Sequence, residues 1–587
     1  MSTQPLKRYD SPASALLTAC LSTYFFLAPI AGWAYSVVSG SKASTDAAVA
    51  VLKKGGSAAD AMVAAITTQN VWQPFFMGIG GGGLAVVSQN GRVQFFDGRE
   101  EAPASATPTM FLSEKFEGGK IPYYPERVTG ANPVGIPGTV ALLGTLHKRF
   151  GKLPWKQLTA QAALEAKNGI VVSKHFSNIL VDEFERLTQF PYSKLLFSGP
   201  DGGPQAVGLS LKNIDLSRTF EQLGAEGWQS FYTGSLGRSW LSAAQRLGVK
   251  INQNDLARYA VREAKPLQFN SFGLSYYSAQ LPSAGSTVLA GYMRFLEYYY
   301  KSHTVPAALS VERFIITLET LRFYQKLRDE NLADVGYAKF DPQTWIGSAK
   351  EKAFWLEISN AIDTKTKQLK ERVLEGRRTP DIFESVSSLV SGLRKETPSG
   401  ESPKNHTAHL AIIDDRGLAI SLTDTIEQHF GSALAVPGFG FLLNNELSDF
   451  TADTDHPNSP KAGKRPRSNM SPTLIFDSKK KLLGAVGCAG GTRIPATIAQ
   501  FLDTYFVHNL SALEASAFPR AYFINASETI VIENSMPNFI ELGLKQVGYK
   551  VERGEAESVL MTAIRRKAAN DFTAVSEPRH DGLGLTL

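Results

Sequence analysis

Two hairpin signals enclose a largely helical stretch, and this arrangement narrows the fold before composition is considered. The first is "LAVVSQNGRVQFFDGRE", in which Asn90-Gly91 sits between two alternating apolar runs, the strongest short-range hairpin signal. The second is "NHTAHLAIIDDRGLAIS", from Asn405 to Ser421, where two β-prone runs flank the turn signal "DDRG". Between them, helical patterns such as "GRSWLSAAQRLG" and "VERFIITLETLRFYQKLRDE" alternate with short loops. After residue 407 the texture changes to strands with Gly-rich turns, then helices and a last strand. Helices and strands segregated in blocks predict a layered α+β fold, not a doubly wound parallel sheet. No repeat at solenoid period interrupts this pattern.

Upstream of the first hairpin, "STDAAVAVLKKGGSAADAMVAAITTQNV" reads as two helices. Ser44, Thr45 and Asp46 are candidate caps for the first, Gly55 and Gly56 break it, and Ser57 caps the second. The polar stretch "RKETPSGESPKNH" before the second hairpin reads as exposed loop. Thr407 stands at the seam where this loop meets a strand.

The first 34 residues are set apart. Lys7 and Arg8 precede an apolar run from Ala13 to Ala34 that ends in "AGWA", a small-residue pattern. That is the layout of a secretory signal peptide cleaved near Ala34. A retained membrane anchor is the rival, given the length of the run, and "LTAC" ending at Cys20 also resembles a lipobox. Only Cys20 and Cys488 exist, so removal of the signal leaves no intrachain disulfide. At 587 residues the core can supply stability without one. The net charge of +6 is small for this length, and no basic stripe with interleaved aromatics occurs. Nucleic acid is not an expected partner.

Several segments carry possible chemistry, and each also has an ordinary reading. "GIGGGG", Gly78 to Gly83, lacks a following Gly-Lys-Ser/Thr and follows a helix, so it reads as a close-packed backbone turn and not as a phosphate loop. Nine histidines yield no HExxH pair, and there are no paired cysteines, so no metal or other cofactor is expected. No G-x-S-x-G elbow occurs. "GCAGGTRI", Gly487 to Ile494, follows the strand-like "KLLGAV" and is either a tight turn or a pair of bare N–H groups facing an oxyanion. Arg99 in "FFDGRE" is either a surface arginine or a two-pronged clamp for a carboxylate. Glu446 and Asp449 in "LLNNELSDF" are solvated acids or an ammonium site.

In sequence order these segments change meaning. "GGSAADAMVAA", "GIGGGG", "DGREEAPASAT", "VGIPGTVALL", "TAHLAIID", "FGSALAVPGFGFLLNNELSDF", "GKRPRSNMSPT", "GAVGCAGGTRI" and "AVSEPR" run from about residue 40 to the C-terminus. Together they resemble the γ-glutamyltranspeptidase family of N-terminal nucleophile hydrolases. The resemblance implies a four-layer αββα sandwich cut by itself into two subunits. Cleavage would fall between His406 and Thr407, separating a large subunit, 35–406, from a small one, 407–587, which remain together as a heterodimer. It implies Thr407 as nucleophile, Thr425 as its hydrogen-bond partner, and Gly490 and Gly491 as the oxyanion pair. Arg99 and Ser468 would hold a substrate α-carboxylate, and Glu446 and Asp449 its α-ammonium.

Three positions depart from the family pattern. Glu427 stands where many members have asparagine, adding a carboxylate beside the ammonium site. Asn469 stands where a second serine is usual, and Ala408 follows the nucleophile in place of threonine. Glu427 and Asn469 are kept as substrate-binding candidates because both side chains still hydrogen-bond. The implied activity is transfer of a γ-glutamyl group from glutathione or a related amide to water or an acceptor amino acid or peptide. An acylase acting on glutaryl side chains and an inactive binding protein are the alternatives on this fold. The segment from Thr451 to Gly463, "TADTDHPNSPKAG", is short and polar, which predicts an open, mobile rim without a lid.

Overall fold

Both hairpins form, and both serve one sheet. The computed structural model describes residues 35–374, 407–523, 529–555, 559–565, 572–577 and 582–586. Asn90 and Gly91 take φ of 51° and 77° between the strands Gly82–Gln89 and Arg92–Gly98, the left-handed pair that a two-residue turn requires. In the second hairpin, Ala408–Ile413 pairs with Ala419–Thr425. The Asp414 carboxylate closes its turn by accepting the N–H groups of Arg416 and Leu418, each at 3.0 Å.

A seven-stranded antiparallel sheet holds both hairpins side by side. Its order is Leu583–Thr586, Ser36–Ser39, Ala408–Ile413, Ala419–Thr425, Gly82–Gln89, Arg92–Gly98 and Arg262–Ala264. A six-stranded antiparallel sheet runs Phe572–Ser576, Val559–Arg565, Leu482–Ala489, Thr473–Phe476, Leu274–Ser278 and Leu267–Ser271. Both sheets combine strands from before and after Thr407.

Side-chain alternation divides the seven-stranded sheet between two cores. Ala85, Val87, Leu410, Ile412, Ile420 and Leu422 pack with the helices Lys42–Lys53, Ala58–Trp72 and Thr139–Phe150. Leu84, Val86, Ala411, Ile413 and Ala419 face the other way. They join Tyr276, Leu474 and Val486 of the six-stranded sheet and residues of the helices Gly285–Tyr299, Val311–Asn331 and Ile494–Leu502. Among the described residues no helix is long and apolar enough to cross a membrane. The leader 1–34, with Cys20, lies outside the described residues, as does His406.

Two local expectations are corrected. The first helix begins three residues earlier than the candidate caps, with Ser41 as its N-cap, accepting from Ser44 N–H at 3.2 Å. Ser44 and Thr45 lie inside the helix because their hydroxyls have tertiary partners: Ser44 donates to the Ala65 carbonyl, and Thr45 meets Ser39. Ser57 caps the second helix as expected, in a capping box with Asp60. The segment from Thr451 to Gly463 is not loose. Asn458 is buried and ties it down, donating to the Asp449 carbonyl at 2.7 Å and accepting from Arg467 N–H at 3.0 Å. His456 adds a contact to the Asp329 carbonyl at 2.7 Å. A single buried amide anchors what composition marked as mobile.

The Gly78–Gly83 run is a backbone crossing. A Cβ on Gly80 would lie 2.0 Å from the Leu442 carbonyl oxygen, and one on Gly81 would lie 2.0 Å from that of Thr425. The glycines let this chain pass directly beneath the strand end that carries Thr425. Gly81→Ala is expected to destabilise by about 3 kcal/mol, because the obstacle is backbone and cannot swing aside. Thermal unfolding of the purified variant checks this; an unchanged Tm would mean that the crossing is looser than described.

Candidate active site

Pairing of Ala408 with Asp424 brings the end of one strand of the second hairpin beside the start of the other. Thr407 and Thr425 meet there, with their hydroxyl oxygens 3.5 Å apart. Thr425 also accepts Glu427 N–H at 2.9 Å, which orients its hydroxyl. On the six-stranded sheet, Leu482–Ala489 ends in a turn where Gly490 and Gly491 have φ of 138° and 56°. A Cβ on Gly491 would touch nothing, so its φ, not space, calls for glycine there.

A cavity of about 690 Å³ opens between these elements. Thr407, Thr425, Gly490, Gly491, Arg99, Glu427, Glu446, Asp449, Ser468 and Asn469 all line it. Every expected site residue among the described ones is therefore gathered in one place.

Arg99 is buried and heavily engaged. Its Nη1 lies 2.5 Å from Glu446 and its Nη2 lies 2.6 Å from Asp449. Nη2 also donates to the Arg467 carbonyl at 3.0 Å and Nε to that of Pro466 at 3.2 Å. The Arg99 backbone is clamped in turn, its N–H on Asp97 and its carbonyl on the Tyr259 hydroxyl. Three of the guanidinium's five N–H donors are hydrogen-bonded, and the Nη1 contact with Glu446 is an ion pair. Two carboxylates, Glu446 and Asp449, thus already face the guanidinium expected to grip a substrate carboxylate.

Several positioning residues carry no chemical signature in the sequence. Asn444 accepts from Gly135 and Glu446 N–H and donates to the carbonyls of Gly80 and Gly135. Asn445 joins Gln428 N–H to the Val128 carbonyl. Arg465 pairs with Asp97 at 2.8 Å and holds the strand behind Arg99. An asparagine pair beside "ELSD" was the available clue. His409, two residues past Thr407, is fully buried, and burial pushes it down to about 3. It stays neutral between Thr423 and Ser421 and does not line the cavity.

Four carboxyl groups crowd this end. Burial raises Glu446, against the pull of Arg99; burial also raises Glu427, reinforced by Asp449 and Glu446. Glu100, next to Arg99 and never exposed, is pushed by burial up to about 8 from its ordinary 4.5. A proton held by the folded chain and released by the unfolded one makes stability fall as pH rises from about 4.5 to about 8, by at most about 1.4 kcal/mol per pH unit. Glu100→Gln should therefore flatten the Tm–pH curve relative to wild type over that window. Parallel curves would show that Glu100 titrates normally. Among the described residues no group of three or more His, Cys, Asp or Glu side chains is placed to hold a metal ion.

Comparisons with known proteins identify the family. The sequence model of the gamma-glutamyltranspeptidases matches residues 44–586. A glutathione hydrolase proenzyme of Pseudomonas aeruginosa is 30% identical over 562 residues, covering 92% of each chain. That of Bacillus subtilis is 28% identical over 517 residues, 87% of this chain and 84% of the relative. Among solved structures, the cephalosporin acylase of Bacillus halodurans superposes with a TM-score of 0.79 at 20% identity, covering 99% of this chain and 98% of the other. At that identity the likeness concerns the fold alone.

Proposed function

Because this chain belongs to the gamma-glutamyltranspeptidase family, we propose that it is a self-processing hydrolase and transferase of γ-glutamyl amides such as glutathione. The observation that carries this reading is a hydroxyl pair, Thr407 and Thr425, in the same cavity as a guanidinium set among acids. The acids suit a substrate ammonium, and the guanidinium suits the carboxylate beside it.

The proposed fold is the four-layer αββα sandwich of N-terminal nucleophile hydrolases, cut before Thr407 into subunits 35–406 and 407–587. Relatives named as proenzymes support such processing. The strand Ala408–Ile413 lies between Ser36–Ser39 and Ala419–Thr425, so after a cut the ladder would hold the pieces together as a heterodimer. Export remains a proposal from the leader sequence.

In the proposed cycle the Thr407 hydroxyl attacks the γ-carbonyl carbon. The freed α-amine of Thr407, with an ordinary pKa near ~8, takes the hydroxyl proton and passes it to the departing amine. Gly490 and Gly491 offer backbone N–H groups to the oxyanion. Water or an acceptor amine then opens the threonine ester, releasing glutamate or a new γ-glutamyl amide.

The test is direct. Purified wild type should separate into two chains under denaturing conditions and release glutamate from glutathione. It should be slower on a glutaryl amide, which lacks the α-ammonium that Glu427, Glu446 and Asp449 would hold. Equal or faster turnover of the glutaryl amide would favour the acylase reading. One uncut chain without turnover of either donor would favour a binding protein.

A further inference from the structure

The donor's α-carboxylate needs a cation whose charge is not already matched, and Arg99 faces two carboxylates, Glu446 and Asp449. A second guanidinium lines the same cavity. Arg127 lies at the end of the turn Tyr123–Arg127, in a stretch that offers no motif of its own. Its guanidinium carbon sits 4.3 Å from the Phe111 ring centroid and 5.8 Å from that of Tyr123. Stacking on ring faces engages the guanidinium plane and leaves its edge, where the N–H donors lie, free for a planar anion.

Among the described residues no carboxylate lies within ion-pair distance of Arg127, and its buried Nε has no hydrogen-bond partner. A buried donor left without a partner at a cavity wall marks a place for a ligand atom. Asp449 and Glu427 are close enough to influence Arg127 electrostatically yet do not pair with it. Tyr123 links the two walls, its hydroxyl 3.3 Å from Glu427 and 3.0 Å from Gln428 Nε2. The anions and this cation thus face the same space from different elements, which suits a zwitterion with its ammonium toward the acids.

We infer that Arg127 is a binding residue for the carboxylate at the α-carbon of the donor, acting beside Arg99, whose charge Glu446 and Asp449 already match. This assignment rests on the proposed γ-glutamyl specificity. It also predicts which donors are excluded: an amide in place of the α-carboxylate offers no charge to Arg127 and presents N–H groups to its donors.

The experiment compares wild type, Arg127→Met and Arg127→Lys. Readouts are KM for γ-glutamyl-p-nitroanilide and the inhibition constants of glutamate and of glutamate α-amide. Tm and the two-chain pattern serve as folding controls. Arg127→Met should raise KM and the glutamate inhibition constant about tenfold or more, change kcat by less than about threefold, and leave binding of the α-amide nearly unchanged. Arg127→Lys should recover part of the loss, since charge returns without the fork. Equal weakening of both inhibitors would assign Arg127 to packing and overturn the inference, as would an unchanged glutamate constant. Wild type that turns over no γ-glutamyl donor would overturn the function itself. An active wild type with an indifferent Arg127→Met removes only this assignment.

Discussion

Thr407→Ala is expected to remain one uncut chain and to lose γ-glutamyl hydrolysis by at least about 10⁴-fold. Under the proposed function the same oxygen performs two steps. In the precursor it attacks the carbonyl before it; in the mature form it attacks the substrate, with the new α-amine as base. Alanine removes both at once, and no neighbouring group can replace it: the Thr425 hydroxyl lies 3.5 Å away but sits mid-chain without a free amine. The expected wild-type result is a second chain whose first residue is Thr407, read by N-terminal sequencing. A different first residue, or an alanine variant that still divides, would remove Thr407 from this role.

Arg99→Ala should lower kcat/KM on γ-glutamyl donors by about thirtyfold to a thousandfold, from a charge-assisted contact of about 2–4 kcal/mol. It should also destabilise the fold by about 3–5 kcal/mol, because Glu446 is left buried without its cation. The pH dependence has a definite sign. Burial already holds the Glu446 carboxyl above its ordinary value, and removing Arg99 raises it further. Both folded forms keep a proton that the unfolded chain gives up, so the variant's deficit against wild type grows only as pH rises past the raised value of wild-type Glu446. Self-cleavage should persist, because that step requires no bound glutamate. Urea unfolding at two pH values together with donor kinetics tests both halves. Wild-type kcat/KM in the variant would place substrate recognition elsewhere, with Arg127 the first position to examine.

Local signals were legible where one stretch of chain determines the outcome. Asn90-Gly91 and the Asp414 turn gave hairpins because a two-residue loop or an Asp side chain sets the backbone within four residues. Ser57 capped its helix through a partner three positions on. Ser44 and Thr45 misled for the opposite reason: their hydroxyls find Ala65 and Ser39, so a local cap was not needed. The rim segment misled similarly, since Asn458 looks like any loop asparagine until Asp449 and Arg467 surround it.

By itself the sequence determined both hairpins, a mixed α+β content and the family, because periodicity, turn chemistry and ordered motifs are written along the chain. It also identified the residues that gather in the cavity. Tertiary structure alone decided how those residues share their charges. Arg99 and Glu446 are 347 positions apart by number, yet 2.5 Å apart in space. Burial and such distant pairing, which no local pattern encodes, set two carboxylates against Arg99, push Glu100 up to about 8, and leave Arg127, among the described residues, without an ion-pair partner. Electrostatic free energy depends on three-dimensional distance and on exclusion of water, and both are set only when the sheets close over the site.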